Sequence, residues 1–173
     1  MPKTVLTYIF LFFLLVICQA VIFNNLILFN TAIALVFLYL LIELPVTIPT
    51  NGMLAIGFVL GLSVDVFQDT PGLNALCCTV LAFIRRPMFH LYVPRDEDFS
   101  GKRLSIKTLG TAAFLKYMLT AVLIYCILYF SIEAFSYADI ARLVMRIVAS
   151  TLFTFVVIYA IDSLTVTRRE KRL

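Results

Sequence analysis

Charge is what this chain has least of. Asp, Glu, Lys and Arg supply 14% of its 173 residues, while 62% are apolar, against about 25% charged and about 45–50% apolar in a soluble domain. A chain this short encloses too little interior to hide that excess from water. A water-soluble fold is therefore excluded, lipid must cover the surface, and the size suits one compact bundle without a second domain. Histidine is scarcer still. His90 is the only one, and it falls in a polar stretch, where solvation is its ordinary role. A serine protease working inside a membrane needs a histidine at depth to activate its nucleophile. An aspartyl protease needs two carboxylates sharing a site, and only Asp65 lies deep in an apolar run. P-loop, His-Glu-x-x-His and Gly-x-Ser-x-Gly patterns are absent. The expectation is a non-enzymatic protein with no cofactor and no metal. The four cysteines, Cys18, Cys77, Cys78 and Cys126, lie in apolar runs without metal or disulfide spacing and read as small hydrophobes.

What is present is a series of apolar runs near the ~20 residues that a helix needs to cross the hydrocarbon layer. The reading is an all-α integral membrane bundle of six transmembrane helices, spanning approximately 4–23, 26–44, 53–67, 73–84, 108–130 and 140–164. Asn24-Asn25 ends the first span, and Pro45, Pro49 and Asn51-Gly52 close the second. The first span is too long for the ~7–15-residue core of a secretory signal, and no small-x-small cleavage site follows. Leu15-Val16-Ile17-Cys18 has the outline of a lipoprotein box, but Ile17 stands where a small residue is wanted. The third and fourth spans, of 15 and 12 residues, are either short tilted helices or a re-entrant hairpin. A polar cytoplasmic loop over 85–107 and a basic cytoplasmic tail over 165–173 complete the chain.

Six crossings sort the basic residues to one side. Lys3, six Lys and Arg between Arg85 and Lys107 and four in the tail make eleven of the fourteen in the chain. The positive-inside rule then places both termini and the long loop in the cytoplasm. This juxtamembrane placement argues for an anionic leaflet as the partner of the net +4 charge, and against nucleic acid.

Charges inside spans are costly, about 2.5–3.5 kcal/mol each at a helix centre, so they pair or face cavities. Topology predicts two sets of ion-pair candidates. Asp65 and Asp69 end the third helix at the outer level where Arg142 and Arg146, four apart on one helix face, begin the sixth. Glu43, Lys116 and Asp162 form a looser inner set, with snorkelling of Lys116 an equal alternative. Such pairs either hold the bundle together or mark a partner contact or relay. Gly57, Gly61 and Asp65 recur every four residues, a stripe that lets another backbone approach closely.

The run Gly61-Leu62-Ser63-Val64-Asp65-Val66-Phe67-Gln68-Asp69-Thr70-Pro71-Gly72-Leu73-Asn74-Ala75 resembles the signature of the MreD family, the rod-shape-determining membrane proteins of bacteria. That family has a Gly-Leu-x-x-Asp core leading to a Pro-Gly turn before the next helix, and Gly61, Asp65, Pro71 and Gly72 stand at the matching positions. Length, an apolar N-terminus and a short basic tail fit along essentially the whole chain, whereas the 85–107 segment is longer than in the shorter members. The resemblance implies a multi-pass protein of the bacterial inner membrane, part of the machinery for lateral peptidoglycan synthesis. It implies an MreC-like single-pass partner, support of an MreB filament and a RodA-type glycosyltransferase with its transpeptidase, and no small-molecule substrate. Gly57, Gly61, Asp65, Asp69, Pro71 and Gly72 become the helix-packing or partner-contact candidates. The family is also similar to the six-helix substrate-binding subunits of energy-coupling-factor vitamin transporters, which supplies the alternative function.

Overall fold

The computed structural model describes residues 2–23, 27–28, 32–92, 104, 106–134 and 139–170. Within these the chain is largely helical: α1 (Pro2–Cys18) continued by a π-helical turn (Gln19–Phe23), a minimal hairpin of β1 (Ile27–Leu28) and β2 (Ala32–Ile33), then α2 (Leu38–Glu43), α3 (Thr50–Gln68), α4 (Leu73–Tyr92), α5 (Ile106–Leu109), α6 (Thr111–Glu133) and α7 (Ile140–Glu170). Four helical stretches are long and apolar enough to cross a membrane: Val5–Phe23, Thr50–Gln68, Thr111–Glu133 and Ile140–Leu164. The inside-out surface fits a lipid setting. Phe10, Phe58, Phe83, Leu152 and Val156 are exposed, while Glu43, Asp65, Arg85 and Asp162 are buried.

The run 26–44 does not form the expected continuous helix. A two-residue antiparallel ladder pairs Ile27 with Ile33 and Leu28 with Ala32, residues 34–37 are non-helical, and only Leu38–Glu43 closes into a helix. Every residue from Ala34 to Leu44 is buried. This segment packs against α1, α6 and α7. A run that is covered all round has no polar face, so its apolarity does not distinguish helix from irregular core.

The third and fourth spans are longer than expected. α3 starts at Thr50, just after Pro49. α4 does not stop at Ile84 but runs on to Tyr92, through Pro87, and so absorbs the first part of the expected polar loop. The reason is a stripe of inward side chains, Cys78, Leu81, Ala82, Arg85, Met88 and Phe89, that keeps facing the core at helical spacing. At 19 and 20 residues the two helices are each about 28–30 Å long, and of the two α3 alone is among the four stretches apolar enough to cross a membrane. α3 and α4 form an antiparallel hairpin, α6 packs against α4 on one flank and α7 on the other, and α1 lies against α2 and α3. Residues 93–103 and 105 of the expected loop, the Asn24-Asn25 turn and the last residues of the basic tail, 171–173, lie outside the described residues.

Candidate functional site

The residues that carry the resemblance meet at the α3–α4 turn. Asp65 sits on the last turn of α3 and is 5% exposed. Its Oδ1 accepts from Thr70 Oγ1 at 2.7 Å, the Asn74 backbone N–H at 2.9 Å and Asn74 Nδ2 at 3.0 Å. Its Oδ2 accepts from the Ala75 N–H at 2.8 Å. Asn74 and Ala75 are the second and third residues of α4, whose first N–H groups have no partner within their own helix. Asp65 therefore caps α4 from the preceding helix. A carboxylate suits that end because the helix dipole is positive there and its hydrogen bonds are charge-assisted.

The turn is built to deliver that contact. Asp69 adopts the left-handed conformation, φ 53° and ψ 34°, and its N–H bonds the Asp65 carbonyl. The Thr70 N–H reaches the same carbonyl at 3.3 Å, which is the six-to-one bond of a Schellman stop. Gly72, φ 81°, reverses the chain after Pro71. Close approach of the two helices depends on Gly61, where a Cβ would lie 2.4 Å from the Asn74 carbonyl oxygen and 2.5 Å from Ala75 Cα. At Gly57 the clash is milder, 2.9 Å to the Cys78 oxygen. Asn74 carries the network onward. Its Nδ2 donates to Gln68 Oε1 at 2.9 Å, and its Oδ1 accepts from Tyr125 of α6 at 2.6 Å. A cleft of about 420 Å³ opens beside this knot, with Leu62, Asp69, Pro71 and Gly72 on its rim.

Comparison with models of protein families, with curated proteins and with solved structures returned no match.

The expected outer ion-pair cluster is not what forms. Arg146 pairs with Glu133 at 3.5 Å and lies over the Phe130 ring, 4.9 Å from its centroid. Arg142 meets Asp139 at 4.0 Å, both largely exposed. Asp69 is exposed. Asp65 is compensated by helix N–H groups and amide donors instead of by arginine, since its two oxygens already hold four donors. The inner set is also dispersed. Asp162 of α7, 1% exposed, accepts from Tyr39 Oη at 3.4 Å and the Ile106 N–H at 3.5 Å. Glu43 is buried at the end of α2, where its backbone carbonyl accepts from the Leu104 N–H at 3.1 Å. Lys116 is exposed on α6, as snorkelling requires.

Two buried polar knots have no counterpart in the sequence reading. Arg85 of α4, 5% exposed, enters the C-terminal end of α2. It donates to the carbonyls of Leu44, Ile42 (3.4 Å) and Pro45 (3.5 Å), and its Nε donates to Tyr117 Oη at 3.0 Å. A guanidinium there satisfies orphan carbonyls at the negative end of a helix. Arg85 is thus a core residue rather than the first residue of a loop; His90, exposed, also lies on α4. The other knot serves the non-helical segment before α2. Gln19 spans it, with Nε2 to the Ala34 carbonyl at 3.0 Å and Oε1 from the Val36 N–H at 2.8 Å. Ser150 Oγ and Thr154 Oγ1 of α7 accept from the Ile33 and Leu35 N–H groups at 3.1 and 3.0 Å. The signal was available: Gln19, Ser150 and Thr154 are polar residues inside otherwise apolar runs.

Proposed function

We propose that this protein is a non-enzymatic subunit of the bacterial cell-elongation machinery, of the MreD kind, working in the cytoplasmic membrane. It binds a single-pass MreC-like partner and supports lateral peptidoglycan synthesis by the MreB filament and a RodA-type glycosyltransferase. The observation that carries this reading is the α3–α4 turn. Gly61, Asp65, Pro71 and Gly72, the positions of the resemblance, act there as one unit, as positions selected together for one structure would. In this reading the chain crosses the membrane six times with both termini cytoplasmic, the second crossing being made by the segment from β2 to α2. The one-sided distribution of Lys and Arg supports that topology.

The vitamin-transporter alternative needs a deep pocket with converging polar groups. A groove of about 560 Å³ beside α1 has, apart from Tyr8, only apolar walls, which favours the scaffold reading. Depletion of the protein in the bacterium that encodes it should turn rods into spheres, and pull-down should recover an MreC-like single-pass protein. Unchanged cell shape with no second copy of the gene, or recovery of ATPase subunits instead, overturns the reading.

A further inference from the structure

The groove beside α1 has a length as informative as its lining. On α1 it runs from Val5 to Phe13; its other wall is Leu40 of α2 and Leu44 at its end, Ile48 just before α3, and Ala55 to Val59 in the first half of α3. At 1.5 Å per residue the α1 stretch is about 12 Å, less than half of the ~30 Å hydrocarbon layer. The groove therefore belongs to one leaflet. A transmembrane helix of a partner would be gripped over less than half its length, whereas an acyl chain of that leaflet would be held throughout.

The end of the groove carries a charge. Ile48 lines both this groove and a neighbouring cleft that contains Arg85 and Arg86. Arg85 is committed to the carbonyls of Ile42, Leu44 and Pro45. Arg86 is exposed and makes no ion pair among the described residues. A cation at the mouth of a one-leaflet apolar groove complements a phosphate joined to an acyl chain. We propose that this site binds one anionic phospholipid, with an acyl chain along Phe12, Phe13 and Val59 and its phosphate on Arg86. The inference does not depend on the cell-elongation reading, which cell shape decides; this one is decided in vesicles.

The chain has no tryptophan, so Phe13→Trp gives a single reporter in the groove. Leu152→Trp, on the exposed face of α7, gives a bulk-lipid reference. The full chain is reconstituted in phosphatidylcholine vesicles with dibrominated phosphatidylglycerol or dibrominated phosphatidylcholine at equal mole fraction, and tryptophan quenching is read. The groove reporter should associate with phosphatidylglycerol about five-fold more strongly than with phosphatidylcholine, the effect of one cation at an anionic surface. The α7 reporter should show a ratio close to unity. Adding Arg86→Gln should bring the groove ratio close to unity, while Arg86→Lys should keep the preference. Equal quenching by the two lipids at Phe13→Trp overturns the proposal, as does a preference that survives Arg86→Gln or is lost in Arg86→Lys. A groove reporter that neither lipid quenches would mean that protein covers the groove, and overturns it too.

Discussion

Replacing Asp65 with alanine should loosen the α3–α4 hairpin by an amount the geometry sets. The change strips an acceptor from the Asn74 and Ala75 N–H groups and from two side-chain donors. Loss of a helix cap costs about 0.5–2 kcal/mol, and each buried donor left unpaired costs about 1–3 kcal/mol. Thr70 can rotate to another acceptor, and water from the adjoining cleft can reach part of the exposed end, so a net loss of about 3 kcal/mol is expected. For a chain of this size that lowers the melting midpoint by about 6–12 °C. Asp65→Asn should cost about half as much. Its remaining oxygen still serves Thr70 and Asn74, but the amide turns a donor toward the Ala75 N–H. Thermal unfolding in detergent, followed with a thiol-reactive dye, suits the protein because Cys77, Cys78 and Cys126 are buried and become reactive on unfolding. A midpoint within about 2 °C of the parent for Asp65→Ala would refute the capping role. The same assay separates capping from the ion pair expected from sequence. Asp65→Ala and Arg146→Ala should add to within about 0.5 kcal/mol, and a coupling above about 1 kcal/mol would restore the pair.

Other expected outcomes use the same midpoint assay. Gly61→Ala should be more damaging than Gly57→Ala, at about 3 against 1 kcal/mol, because its Cβ meets backbone atoms at closer range; equal losses would contradict the close approach at Gly61. Arg85→Ala should cost about 3–5 kcal/mol by leaving Tyr117 and the α2 carbonyls unpaired in the core. Arg86→Ala, one residue on and exposed, should stay within about 0.5 kcal/mol of the parent. If the two arginines behave alike, the burial of Arg85 is wrong. Gln19→Leu should cost about 2–3 kcal/mol and Thr154→Val about 1–2, since each orphans backbone groups of the segment before α2. Full tolerance of Gln19→Leu would show that this segment is held otherwise.

The hairpin was legible because its signals are local. A stripe of glycines, a carboxylate and a Pro-Gly turn fall within sixteen residues, from Gly57 to Gly72, and the donors that Asp65 accepts from follow within ten. The partner of Asp65 differs from the one its charge suggests for a physical reason. A buried carboxylate invites a search for cations, yet the first turn of the next helix offers unpaired N–H groups at no cost in burying a second charge. The reverse holds at Arg85. A basic pair at the end of an apolar run reads as an exit to water, but the carbonyls that accept Arg85 lie some forty residues earlier in the chain. No local pattern shows them. The same holds for the segment from Ala32 to Phe37, where Gln19 serves Ala34 and Val36 but the acceptors for Ile33 and Leu35 lie on α7 more than a hundred residues on.

These non-local contacts share a cause that also bears on function. At membrane depth every backbone group must be paired inside the protein, and irregular backbone survives only where side chains serve it. The chain breaks helical structure at three places: the α3–α4 turn, whose carboxylate Asp65 is buried although Asp69, Pro71 and Gly72 are exposed, the buried segment before α2, and the end of α2. Each break is served by polar side chains from a neighbouring helix, namely Asp65, then Gln19 with Ser150 and Thr154, then Arg85. The hydrogen-bonding capacity of these residues is spent on the backbone. Contact with other molecules then falls to the surface: the exposed apolar faces of α1 and α7, the groove beside α1, and the turn that Asp65 holds rigid at the end of α3. A partner that reads this protein would read shape and apolar surface, and Asp69→Asn, which tolerates the left-handed conformation at φ 53° while removing an exposed charge, should keep the parent's melting midpoint and lower only the recovery of the single-pass partner in the pull-down.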